Sequence, residues 1–528
     1  MSTAHRLSAS VPINAKASAP WPRGASWILA ATIIASSMAF IDMTVVNIAL
    51  PVLQRRLGAS FVEAQWVVEA YTLFLSALVL PGGALGDLYG RRRVFVIGIL
   101  LFALASAACG LAPDPVTLIV ARAIQGVGGA LLMPGSLAIL SASFPRERQG
   151  YVIGVWSAAS GIAVSIAPAL GGWLIDAFSW RAVFLMNLPL AAAALAIVMT
   201  KVPESRSPRA GRLDIPGALL AILGLGGLTL GLIQAGRSGF GDPLSLGGIA
   251  IGVLGLGGFI AVEDGSAHPM IPLALFRMRV FAAIQGFTFL LWAALSGALF
   301  FVPFRLMQIQ GFPPIEAGAS LLPFVVVVSL LSHWAGRLVD RLGARGLLMT
   351  GSALASLGFL CLAFPGLDTP YWLGILPALL VVGLGMGLCV APVTVTALNA
   401  AGAEHVGLAS AVNNMAARVG GLIAIAIFGI LLADRFGFAL DRSLAALALP
   451  DWAVAALAPE RGKLAAAVLP LGLSSDQQTA LQAAIRLAFL DGYRWVMGAA
   501  AAFAFTSTFV AARWLGREKR APGAQPSQ

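Results

Sequence analysis

A chain of 528 residues that is 59% hydrophobic and only 11% charged cannot cover a water-facing surface; a soluble protein of that length carries about 25% charged residues. Lipid is therefore its main solvent, and the net charge of +11 reads as loop arginines that set topology, not as a nucleic-acid surface. Cys109, Cys361 and Cys389 lie inside apolar runs without CxxC spacing, so neither a disulfide nor a metal site is expected.

Residues 1–25 form a polar tail containing Arg6, Lys16 and Arg23. The apolar run behind it is too long for a cleaved signal core and carries Asp42, so it reads as a retained first span. Uncharged stretches of the roughly 20 residues that a helix needs to cross a bilayer then recur. They predict fourteen spans at 26–50, 64–86, 94–112, 115–140, 150–174, 181–200, 215–235, 245–262, 280–304, 316–336, 346–366, 371–397, 406–432 and 493–514. Backbone groups in hydrocarbon must be satisfied within a helix or a closed barrel. These runs are too long and too uniformly apolar for barrel strands, which alternate over about ten residues.

Lys and Arg are split unevenly between the two sets of connections. One set, with both tails, holds 21; the other holds 11, six of them in or beside one long loop. By the positive-inside rule both termini are expected in the cytoplasm. The long loop, 433–492, is Ala/Leu-rich with breaks at Pro450, Pro470 and Gly472. Short amphipathic helices on the outer surface are expected there.

A duplicated loop is the strongest internal signal. Gly83-Ala-Leu85-Gly-Asp87-Leu-Tyr-Gly90-Arg91-Arg92 and Gly336-Arg-Leu338-Val-Asp340-Arg-Leu-Gly343-Ala-Arg345 both fit G-x-L-x-D-x-x-G-x-R, each after the second span of a six-span block. The first Gly is expected to let helices approach closely. The Asp can accept bonds from a helix N-terminus or pair with Arg, and the second Gly permits a tight turn. The organisation that follows is a tail at 1–25, a six-helix bundle at 26–200, and a linker with two additional spans at 201–279. A second six-helix bundle follows at 280–515, including the outer loop, and then a tail at 516–528. Parallel repeats of this kind are related by an axis along the membrane normal, with a midplane site and alternating access.

With these motifs the chain resembles the major facilitator superfamily, in its fourteen-helix drug:proton antiporter branch. The resemblance covers roughly 25 to 515. It rests also on Ile41-Asp42-Met43-Thr44-Val45-Val46-Asn47-Ile48-Ala49-Leu50-Pro51, on Arg122-Ala-Ile-Gln125-Gly126-Val-Gly128-Gly129-Ala130, and on Trp180-Arg181 followed by Phe184, Asn187 and Pro189. The antiporter helix of that branch is matched at Gly154, Pro168, Gly171 and Gly172, but Ala163 and Ala167 replace two usual glycines. The resemblance implies an all-α membrane protein with the major facilitator fold: two six-helix bundles related by a pseudo-two-fold axis, plus two extra helices between them. It implies a monomer that exchanges protons for a small-molecule substrate, and it leaves open a periplasmic adaptor and outer-membrane channel.

Charge inside a bilayer is costly and usually faces a cavity or a partner. Asp42 is a candidate proton or cation site, and Arg122 is implied to control a nearby acid such as Asp42. Glu69 is a candidate for binding a cationic substrate or a proton. Arg418, with Asn413 and Asn414 on the preceding turn, forms a polar stripe expected to face the cleft from the second half. The absence of a GxxxxGK[ST] loop excludes ATP as the driver, and no His/Cys cluster or catalytic constellation suggests a cofactor or an enzyme. The expected activity is proton-coupled export of amphipathic, cationic compounds. Transport of a single metabolite, outward or inward, and a non-transporting membrane sensor are the alternatives.

Overall fold

The computed structural model describes residues 24–206, 213–266, 269–402, 406–447 and 449–515. Among these, fourteen helices are long and apolar enough to span a membrane: α1 Ala25–Leu57, α2 Phe61–Tyr89, α3 Arg91–Leu111, α4 Pro115–Ser143, α5 Glu147–Ala177, α6 Ala182–Lys201, α7 Ile215–Ser238, α8 Pro243–Gly265, α9 Arg279–Ile309, α10 Pro314–Val339, α11 Ala344–Ala363, α12 Tyr371–Ala401, α13 Gly407–Leu447 and α14 Ser475–Trp514. Side-chain caps fix where several of them begin. Ser60 and Glu63 form a reciprocal capping box on α2, and Asp114, Asp214 and Asp242 accept the exposed backbone N–H groups of α4, α7 and α8. Large apolar side chains such as Leu104, Leu254 and Leu373 remain exposed on the outside of the bundle, the surface a lipid-solvated protein presents.

All fourteen predicted spans are present, and the structure corrects the outer loop. Helix α13 runs on to Leu447 and α14 begins at Ser475, so most of 433–492 extends two spans instead of forming separate short helices. Asp434, Arg435, Asp441 and Arg442 end the apolar run without ending the helix, because the Ala/Leu-rich segment keeps high helix propensity outside the hydrocarbon. A short helix, Asp451–Leu457, and a 3₁₀ segment, Ala458–Ala466, make up much of the true connection.

Helices α1–α6 pack among themselves, as do α9–α14, giving the two bundles of the fold. The extra pair α7–α8 zips together through glycines: a Cβ on Gly227 would sit 2.7 Å from the Gly252 nitrogen, and one on Gly248 would sit 2.7 Å from the Gly231 Cα. Helix α7 in turn lies against both α2 and α13, with Leu225 between Leu73 and Leu422.

The bundles meet at the end opposite the duplicated loops. There the α5 and α10 backbones touch, with Gly172 against Pro314 and Ile315 and Gly318 against Pro168. The Ile315 N–H donates to Asp176 Oδ2 at 2.8 Å. Phe61 packs into Phe300, Phe301 and Phe304, and Gln54 Nε2 donates to the Lys463 carbonyl at 2.9 Å. Toward the arginine-rich end, a Cβ on Gly150, Gly154 or Gly161 of α5 would meet nothing within 4 Å. The bundles are thus pressed together around Gly172 and Gly318, while α5 has free space beside it toward the arginine-rich end.

Because the seal has room for hydrogen but not for a side chain, Gly172→Val or Gly318→Val is expected to wedge it open. A cysteine replacing the fully buried Ala317 should then react with a membrane-impermeant maleimide several-fold faster than in the parent. Unchanged labelling would contradict the seal.

Candidate functional site

Asp42 sits midway along α1 with its side chain wholly enclosed by protein. Arg122 of α4 pairs with it, Nη1 to Oδ2, at 2.5 Å. Its Oδ1 accepts from Gln125 Nε2 at 2.9 Å and from Asn187 Nδ2 of α6 at 3.2 Å. The guanidinium is completed by the Val67 carbonyl of α2 at 3.0 Å, the Gln125 carboxamide oxygen at 2.7 Å and the ring of Tyr71, whose centroid lies 4.3 Å away. Ser106 of α3 accepts from both Gln125 and Asn187 and donates to the Phe184 carbonyl. Cys109, expected only as packing, donates its thiol to Gln125 Oε1. A charge pair survives burial when its remaining donors and acceptors are satisfied, and this one is. The pair expected from spans one and four is therefore brought together, but inside the first bundle and shut off from the cleft.

The cleft lies on the other bundle. It is lined by Trp292, Val390, Thr394, Ser410, Asn413, Asn414 and Ala417, and has a volume of about 170 Å³. Asn413 donates to Gln285 Oε1 at 3.2 Å and to Thr288 Oγ1 at 2.8 Å, which anchors it to α9. Asn414 is exposed and donates to the Ser410 carbonyl. One turn further, Arg418 leaves α13 and reaches across to the first bundle, where its two terminal nitrogens meet Met43 Sδ at 3.3 Å and Met133 Sδ at 3.5 Å. Neither methionine was singled out by its sequence context, since an isolated Met in an apolar run carries no distinguishing pattern.

Glu69 reaches neither the cleft nor the headgroups. It is fully buried, and neither carboxylate oxygen has a hydrogen-bond partner among the described residues. Four residues earlier, Gln65 donates to the Ile425 carbonyl of α13 at 3.0 Å. Four residues later, Leu73 packs on α7 and α13. Glu69 thus lies on the stripe of α2 that faces those two helices.

The duplicated loops are built differently from each other. In the first, Asp87 pairs with Arg91 at 2.8 Å, Gly90 turns at φ 113°, and the Arg92 side chain donates to the Met199 carbonyl. The start of α3 is capped by Glu204, which accepts from the Arg92 and Arg93 backbone N–H groups at 3.0 and 3.2 Å. The glycine that lets helices approach is Gly82, pressed on the Ala130 carbonyl. Gly83 and Gly336 have ordinary clearance, 3.5 and 3.7 Å for an added Cβ, which corrects the role expected of them. In the second loop Gly343 turns at φ 76° and Arg345 donates to the Ala512 carbonyl at 2.5 Å; the Asp340 side chain lies outside the described residues. On α5, Gly154 faces open space, Pro168 and Gly172 belong to the seal, and Gly171 presses on Val45 of α1 within the first bundle.

Neutralising one member of a buried pair strands the other, at a cost of about 3–5 kcal/mol. Asp42→Asn is expected to lower the thermal unfolding midpoint in detergent clearly, and Asp42→Asn with Arg122→Met to recover part of the loss. A double variant no more stable than the single one would show that the pair does not hold the bundle.

The sequence profile described as Major Facilitator Superfamily matches residues 32–425. The chain is 35% identical to multidrug resistance protein Stp of Mycobacterium tuberculosis over 80% of its own length and 78% of that protein. It is 32% identical to the tetracenomycin C resistance and export protein of Streptomyces glaucescens over 97% and 95% of the two chains. With the puromycin resistance protein pur8 of Streptomyces alboniger it shares 38% over 79% and 84%. Its fold matches the inward-facing crystal structure of a bacterial homologue of the lysosomal transporter Spinster, with a TM-score of 0.64 at 16% identity over 94% and 99% of the chains. With its two bundles and these relatives, the chain belongs to the Major Facilitator Superfamily and is a membrane transporter rather than an enzyme; its fourteen spans fit the fourteen-helix drug:proton antiporter branch.

Proposed function

We propose that this transporter exports amphipathic small molecules in exchange for protons, with 26–200 and 280–515 as the moving bundles, 201–279 bridging them, and both termini cytoplasmic. Relatives named for drug resistance and export support the direction of transport. The coupling reading is carried by one observation: the enclosed Asp42–Arg122 pair adjoins Met43, which receives Arg418 from the opposite bundle. Protonating Asp42 removes half of the pair and frees Arg122, in the helix that also supplies Met133. A proton is thereby felt where the bundles touch, and that contact must break for the cleft to change sides.

In this reading Asp42 and Arg122 carry the proton, while Asn413, Asn414 and Arg418 face the substrate. Direct binding of a cationic substrate to Asp42 or Glu69 would require either carboxylate to leave its enclosure. The arginine-rich loops, Asp87 with Arg91 and Gly343 with Arg345, serve as the parts that rearrange, and Gly154, Pro168, Gly171 and Gly172 as the helix that seals. At about 100–150 mV one charge crossing yields about 2.3–3.5 kcal/mol, enough for a gradient of roughly 50- to 300-fold in an uncharged cargo. An adaptor and outer-membrane channel form no part of this reading.

In proteoliposomes under an imposed pH gradient, dye efflux should stop when the gradient is collapsed. It should fall to the protein-free background in Asp42→Asn reconstituted at equal density. Gradient-dependent efflux persisting in that variant would remove Asp42 from the coupling, and uptake following the solute gradient alone would favour import.

A further inference from the structure

Arg418 is a cation without an anion. Its hydrogen-bond acceptors among the described residues are two thioether sulfurs, which are weak acceptors, and no described carboxylate lies within ion-pair distance of it. Arg122, at a similar depth, has a carboxylate, a carboxamide, a carbonyl and an aromatic ring. A guanidinium left without such partners is expensive inside a bilayer unless something arrives to pair with it. The two acids buried in α1 and α2 are not available: Asp42 is committed to Arg122, Gln125 and Asn187, and Glu69 is sealed within the stripe of α2 that faces α7 and α13. The adjoining cleft adds only neutral groups, the amides Asn413 and Asn414 and the indole of Trp292. Its charge is therefore positive.

We propose that the cleft selects amphipathic acids, compounds that carry a carboxylate or phenolate on an apolar body. The oxygens displace Met43 and Met133 from the guanidinium, which can grip a carboxylate with two parallel N–H bonds, while the apolar body lies against Trp292. The displaced sulfurs belong to α1 and α4, so loading the substrate loosens the same contact between bundles that the proton site adjoins. This inference rests on the exporter reading and reverses the sign of cargo charge expected from the isolated acids in spans one and two.

The test uses two dyes with the same xanthene body and opposite charge, anionic fluorescein and cationic rhodamine 6G, loaded into proteoliposomes under an imposed pH gradient. Rates are taken above the leak of protein-free liposomes. The wild type is expected to export fluorescein in preference to rhodamine 6G. Arg418→Gln should cut the ratio of fluorescein to rhodamine 6G export by about tenfold or more, beyond any loss of coupling that both dyes share. Arg418→Lys, which keeps the charge but loses the fork, should recover part of it. A merely structural arginine would move both dyes together, so an equal loss of both in Arg418→Gln overturns the inference, as does a wild type that prefers rhodamine 6G; in either case the exporter reading stands. A wild type that exports neither dye, with its thermal unfolding transition intact, overturns the exporter reading and this inference with it.

Discussion

Opposite charges held 2.5 Å apart, away from both water and lipid, dictate most of what surrounds them in the first bundle. Moving an ion out of water costs several kcal/mol even after the protein relaxes, and one partner does not return it all. Hence the rest of the constellation: Gln125 and Asn187 on the free carboxylate oxygen, the Val67 carbonyl and the Tyr71 ring on the guanidinium, and Ser106 behind the two amides. These residues come from α1, α2, α3, α4 and α6. Five spans are thereby tied to one point, and a change of charge there is transmitted to all of them.

The second bundle is organised on the opposite plan. Its polar residues border a space, with Asn413 held by Gln285 and Thr288, and its midplane arginine is underpaired. The chemistry is divided between a saturated network in one half and an unsaturated surface in the other, and at Arg418 the halves touch through the soft, polarisable sulfurs of Met43 and Met133. Such a contact holds the bundles without locking them, which suits an interface that must be made and broken in every cycle.

The fourteen spans were legible because hydropathy and the need to satisfy the backbone in lipid leave little freedom. The membership of the central pair was legible too: Asp42 and Arg122 are charges where charge is dear. What hydropathy could not show is direction. Glu69 lies in an ordinary apolar run, and nothing in its neighbours tells whether it faces a cleft, lipid or, as found, a helix–helix seam. The ends of α13 and α14 were missed for a related reason: a hydropathy window reports where lipid stops, whereas Ala and Leu keep a helix going beyond it. At Gly82 and Gly83 the motif pointed to the wrong neighbour, because two adjacent glycines on a helix face about 100° apart and only the packed structure tells which one is pressed against the α4 backbone.

Helix α7 rests on α2 and α13 together, and its glycine zipper makes it one rigid slat with α8. The two flanks of the molecule are therefore not alike. On one flank the slat spans α2 and α13, one helix from each bundle; on the other, α5 meets α10 at the seal, and beside its Gly150, Gly154 and Gly161 an added Cβ would meet no described atom within 4 Å. Seen from within the membrane the two boundaries between the bundles therefore differ, so the accessory helices give this transporter a handedness that its near-symmetric halves lack.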